Sequence, residues 1–197
     1  MKSKSHRDQA GFTLVELLGV ISVMTVLMGM TIGILRYASG KSARERARAE
    51  IAGFVGGAEN YKTDMGTYPR NGETDQMSGG AGANSEKYQG ASLAFYRMVS
   101  GDADVNGVPD KDEGVVNPPN VYMEFKNSQL GKSGSSVRYL RDPWDRPSAQ
   151  SSYGYSTRRA SLLESGSDDS AAGRNTTFDI WSTANTPDNS KAWIGNW

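Results

Sequence analysis

The sequence predicts an α+β fold, with one long amino-terminal helix packed on a small antiparallel β-sheet that carries an enlarged loop region. Residues 12–35 are almost wholly apolar, with Glu16 and Arg36 the charges nearest that stretch and only Glu16 inside it. No proline interrupts the chain between Phe12 and Pro69, so a helix can run on past the apolar stretch. Beyond residue 120, short runs rich in β-branched and aromatic residues alternate with turn formers, which is the pattern of short strands.

Residues 12–35 exceed the roughly 20 residues that a helix needs to cross the hydrocarbon of a bilayer. The preceding residues 1–11 include Lys2, Lys4, His6, Arg7 and Asp8 and end at Gly11, before the apolar stretch and not after it. Cleavage at that point would keep the hydrophobic helix, unlike removal of an ordinary secretory signal. Counting basic residues does not orient the span, because Arg36, Lys41, Arg44, Arg46 and Arg48 follow it while Lys2, Lys4 and Arg7 precede it.

Residues 36–66 read as an amphipathic continuation of the helix. Ala47, Ile51, Phe54, Ala58 and Tyr61 recur at spacings of four and three and so share one face. Gly53, Gly56 and Gly57 weaken isolated helicity by about 1 kcal/mol each relative to alanine, which favours close packing on a domain over a free coiled coil. Ser39-Gly40 is the expected place for a bend, with Ser42 and Glu45 suited to cap a restart. Gly66, ahead of Tyr68-Pro69, is the expected stop.

Residues 67–197 form the globular domain. Residues 70–90 are rich in Gly, Ser, Asn and acids without a sustained period and read as a surface loop. Residues 92–99 suit a short helix, and residues 121–125, 137–140, 152–155 and 177–181 suit strands. The chain of 197 residues balances 22 basic against 22 acidic side chains, so nothing suggests a nucleic-acid footprint. It contains no cysteine, which is compatible with an oxidising compartment.

At Gly11-Phe12-Thr13-Leu14-Val15-Glu16 the chain resembles the signal of type IV pilins and pseudopilins. The resemblance implies that a prepilin peptidase cuts after Gly11 and methylates the new amino terminus at Phe12. It also implies that Glu16 pairs with the terminal ammonium of a neighbouring subunit during filament assembly. An acid in hydrocarbon costs a few kcal/mol and calls for a partner, and attraction to an amine is stronger there than in water. The plainer readings are a signal anchor, with Glu16 near the headgroups complementing its helix dipole.

Four further motifs narrow the resemblance: Asp142-Pro143-Trp144, Tyr153-Gly154-Tyr155, Phe178-Asp179-Ile180-Trp181-Ser182 and Ile194-Gly195-Asn196-Trp197. Together they resemble the G-type major pseudopilin of type II secretion. This implies a precursor stored in the inner membrane, with its carboxy-terminal domain in the periplasm. The precursor would polymerise with itself into a periplasmic pseudopilus that drives protein export across the outer membrane. The implied partners are the prepilin peptidase, minor pseudopilins, and an inner-membrane secretion platform with its ATPase. Type IV pilins and competence pseudopilins share the amino-terminal pattern and are the alternative, a signal-anchored calcium-binding extracellular domain being more remote. Pro143 sets a turn and the tryptophans offer large apolar surfaces, so these residues read as fold markers.

Residues 102–113 follow the pattern D-x-D-x-N-G with Glu at the twelfth place. Side-chain oxygens of Asp102, Asp104, Asn106, Asp110 and Glu113, with the carbonyl of Val108, form a ligand set suited to calcium. Pro109 and the segment Val115-Val116-Asn117-Pro118-Pro119 disfavour the exiting helix of an EF-hand, so the loop is expected to stand alone. A solvated acidic turn is the plainer reading of the same residues. G-type pseudopilins also bind calcium in the loop before the last tryptophan, but here residues 182–190 offer Asp188 as their one charge. Catalysis is not expected, because beyond His6 the chain has no histidine, no cysteine and no recognisable serine nucleophile motif.

Overall fold

The computed structural model describes residues 13–79, 85–146 and 150–197. Gly11 and Phe12, and part of the glycine-rich run after Gly79, lie outside the described residues. The chain divides into two compact units, residues 1–42 and 43–197.

The first unit is built on the opening part of α1, the helix Leu14–Met65. Thr13 precedes its first turn. The stretch Leu14–Ile32 is long and apolar enough to cross a membrane, and its large side chains are exposed throughout. Ser22, Thr25 and Thr31 return their hydroxyls to the carbonyls of Gly19, Ile21 and Leu27, so these polar groups are satisfied inside the helix. No restart occurs at Ser39-Gly40 or Ser42, since these positions are helical and Glu45 pairs instead with Arg48 at 2.6 Å.

In the second unit the remainder of α1 supplies the predicted stripe. Ala47, Ile51, Phe54 and Ala58 are buried, and Tyr61 packs at the core's margin. Phe54 is the hub, meeting Phe95, Phe125 and Tyr153 at centroid distances of 6.1, 5.9 and 5.0 Å. The helix ends where expected, with Gly66 at φ +78° and its amide donating to Lys62 O at 2.8 Å.

Two small antiparallel sheets follow. The first pairs β1 (Leu130–Ser133) with β2 (Ser136–Leu140) across a tight turn with Gly134 at φ +61°. In the second, β4 (Asp179–Ser182) lies between β3 (Gly154–Ser156) and β5 (Ile194–Gly195). Helix α3 (Gln89–Ser100) packs on β2 and β3. Two short helices, α2 (Gly72–Gln76) and α4 (Arg158–Glu164), meet each other beside it.

Three expectations need correction. The 70–90 stretch is not all loop: Asn71 and Thr74 cap each other reciprocally and start α2, and a 3-10 turn precedes α3. Residues 121–125 form no strand. That segment lies along α1, where Gly53 and Gly57 leave room for Met123, and the amides of Tyr122 and Met123 both donate to Val99 O. Its hydrogen bonds thus go to the end of α3 and leave no ladder to build. Finally, the strands form two sheets, because β2 finds its partner locally in the hairpin with β1.

Candidate functional site

The chain presents two candidate sites, one in each unit. The first is the start of α1. Thr13 N donates to Glu16 Oε2 at 2.9 Å, Thr13 Oγ1 donates to the same oxygen at 2.7 Å, and Glu16 N donates to Thr13 Oγ1 at 3.3 Å. This is a capping box, with the carboxylate satisfying orphan donors of the first turn at the positive end of the helix dipole. The plainer reading of Glu16 as a group complementing its helix therefore has direct geometry in the single chain. Glu16 is also exposed, so its second oxygen is open to another chain.

The second site is the loop between α3 and β1. Helix α3 stops at Gly101, φ +69°, where an added Cβ would run into Val121, and the chain turns at once into Asp102. Carboxylate oxygens of Asp102, Asp104 and Asp110 lie within 4.8 Å of one another. Asp102 is fully buried. Its Oδ2 accepts from Tyr96 Oη at 2.5 Å and Gly107 N at 2.7 Å, and its Oδ1 from Asn106 N at 3.1 Å. Asp110 Oδ1 accepts from Ala103 N at 3.1 Å. Asn106 Nδ2 donates to Asp104 at 3.1 Å and to Glu113 at 2.8 Å, tying the two ends of the loop.

Asn106 thus ties Asp102, Asp104 and Glu113 together, while Asp110 bonds to Ala103 N and lies beside Asp102 and Asp104. Val108 enters through its backbone, its amide donating to Asn106 Oδ1 at 2.8 Å, while its side chain is exposed. After Pro109 the chain makes a single 3-10 turn, Asp110–Glu113, and leaves it at Gly114. The loop has an entering helix and no exiting one.

Three residues outside the sequence pattern also hold this loop. Tyr96 on α3 grips Asp102, and burial followed by the neighbouring Asp102 charge pushes its phenol up. Lys132 on β1 donates from Nζ to Asn106 O at 3.2 Å, its stem lying where a side chain at Gly107 would go. Val137 N on β2 donates to Val105 O at 2.6 Å. None of these has a signal at fixed spacing from the motif.

The loop 182–190 is built differently. Ala184 and Asn185 take positive φ, Thr186 O accepts from Trp193 Nε1 at 2.9 Å, and exposed Asp188 brings the one carboxylate. That donor set does not suit a divalent cation.

The tail motifs meet in space. Asp142 accepts from Ser182 Oγ, a very short contact, and Trp181 lies against Gly154 so closely that a Cβ there would enter the indole. Asn196 Oδ1 accepts from Ile180 N at 3.0 Å.

Residues 6–32 match the family described as Prokaryotic N-terminal methylation motif. The matched stretch contains Gly11, Phe12 and Glu16 together with the membrane-length part of α1. No curated protein and no solved structure matches the chain. The motif supports a type IV pilin-like or pseudopilin subunit, a structural class and not an enzymatic one, and it implies processing by a prepilin peptidase and pilus-like assembly.

Proposed function

We propose that this prepilin-type chain is the major structural subunit of a type II secretion pseudopilus. The observation that carries the reading is the joint presence of the methylation motif and four tail motifs that contact one another, Asp142 with Ser182 and Trp181 with Gly154. The leader ends at Gly11, Phe12 becomes the methylated terminus, and the apolar start of α1 holds the subunit in the inner membrane until assembly. Residues 67–197 then face the periplasm. In the filament, Glu16 exchanges part of its bonding to Thr13 for the Phe12 ammonium of a neighbour, which fixes axial register. Minor pseudopilins and an inner-membrane platform with its ATPase complete the machine, since the chain itself carries no P-loop.

The 102–113 loop is proposed to hold calcium through Asp102, Asp104, Asn106, Asp110, Glu113 and the Val108 carbonyl. Hard oxygens gathered around a glycine turn are the chemistry that ion requires. Bound calcium would neutralise the clustered carboxylates and lend stability by binding only the folded form.

Deleting the gene in the source organism tests the secretion role. Loss of secreted proteins from the medium with surface pili intact supports it. Loss of pili or of DNA uptake with secretion intact assigns the chain to a type IV pilus or competence system instead.

A further inference from the structure

Asp142 sits where the two sheets meet. It lies two residues beyond the end of β2, next to Arg141, which bridges to Ser152, and its amide donates to Ser151 O at 3.0 Å. Asp142 Oδ1 accepts from Trp144 N at 2.7 Å, and Oδ2 accepts from the hydroxyl of Ser182 at the end of β4. Ser182 Oγ in turn accepts from Ala184 N at 3.0 Å, so one carboxylate links the end of β2, the 142–145 turn and the start of the 183–189 loop.

The side chain is 1% exposed, and among the described residues no cation is bonded to it. The groups facing it are mostly acidic. Glu50 comes from α1 and Asp145 from the adjoining turn, both adding like charge. Arg46 is engaged with Glu50 at 2.9 Å. Arg141 Nε lies 2.9 Å from Asp145 Oδ2, an ion pair by distance whose N–H is not aimed at the oxygen. Tyr153 stays neutral and donates its hydroxyl to Glu50 Oε2 at 2.6 Å. Three carboxylates thus share two guanidiniums, and the group reaches neutrality when one acid takes up a proton.

We propose that Asp142 is a proton-binding clasp, taking up one proton in mildly acidic medium and thereby relieving an unpaired buried charge at the junction between the two sheets. Burial pushes its carboxyl up to about 6, against the pull of Ser182 and Trp144, with Glu50 and Asp145 reinforcing the rise. The unfolded value is about 3.9, so between the two values the folded chain holds a proton that the unfolded chain lacks. Stability therefore rises as pH falls through about 6 and is lost as pH rises through that value. This runs opposite to the usual paired aspartate. His6 is the chain's one histidine and precedes the cleavage point, so no imidazole in the domain titrates over the same range.

The test uses the full chain in detergent with chelator present, comparing Tm at about pH 7.5 and about pH 5 for the wild type and Asp142→Asn. The wild type should melt roughly 3–5 °C higher in acid, and the Asn variant should show no such rise. An equal rise in both, or no rise in the wild type, overturns the proposal. Should the variant not fold, infrared difference spectra of wild type carrying isotope-labelled aspartate give the answer. A protonated carboxyl C=O band with a midpoint near 6 supports the clasp, and its absence overturns it.

Discussion

Glu16 Oε2 accepts two hydrogen bonds from Thr13, one from its amide at 2.9 Å and one from its hydroxyl at 2.7 Å. The same carboxylate thus serves its own helix before it meets any partner. Capping and inter-subunit pairing make different demands, because an amide oxygen can cap a helix while only a carboxylate pairs strongly with an ammonium. Glu16→Gln should keep the start of α1 and permit cleavage, yet lower filament yield about as much as Glu16→Ala. Immunoblots of sheared filaments against membrane precursor read both. Normal assembly of the Gln variant would remove the charge-pairing role.

Calcium binding gives a second prediction. Adding calcium should raise Tm in the wild type, by mass action on the folded state. Asp104→Ala removes an exposed carboxylate of the proposed ligand set without touching the core and should abolish most of that rise while leaving the chelated Tm within a few degrees. A calcium-dependent rise of wild-type size in the variant would refute the ligand set.

Gly154 is placed under Trp181, which is 1% exposed. Gly154→Ala forces a methyl into the indole on the adjacent strand and should cost about 1–3 kcal/mol, the range of overpacking a core. Denaturant titration of the wild type and variant gives the difference directly. A neutral outcome would mean that the β3–β4 packing differs from the described one.

Phe54 offers a control for the helix-to-domain core. Phe54→Ala deletes a fully buried ring touching three others, and a loss of about 3–5 kcal/mol in the same titration is expected. A loss under about 1 kcal/mol would contradict the assignment of residues 43–65 to that core.

The sequence was most informative where one pattern decided the outcome. The apolar stretch, the stripe Ala47, Ile51, Phe54 and Ala58, and the Gly66 stop all follow from period and backbone permissiveness. The clustering of Asp102, Asp104 and Asp110 was legible because acids recur at fixed places along that loop. Its supports were not: Tyr96, Lys132 and Val137 reach it from other elements, and tertiary contacts leave no local spacing. Residues 121–125 looked like a strand because Val, Tyr and Phe favour extended backbone, and the structure does keep them non-helical. What propensity could not supply was the neighbour, a helix surface thinned by Gly53 and Gly57 in place of another strand. The cap formed by Thr13 and Glu16 was readable as T-x-x-E, though the acid's place in an apolar span drew attention to a partner chain first.

The central claim rests on processing at Gly11, and intact mass tests it most directly. The chain should be expressed in membranes with and without a prepilin peptidase, and the amino-terminal residue mapped. Loss of residues 1–11 with one methyl group added at Phe12, only when the peptidase is present, is the predicted result. A chain that keeps its amino terminus in the presence of an active peptidase would contradict the account and leave a signal-anchored domain.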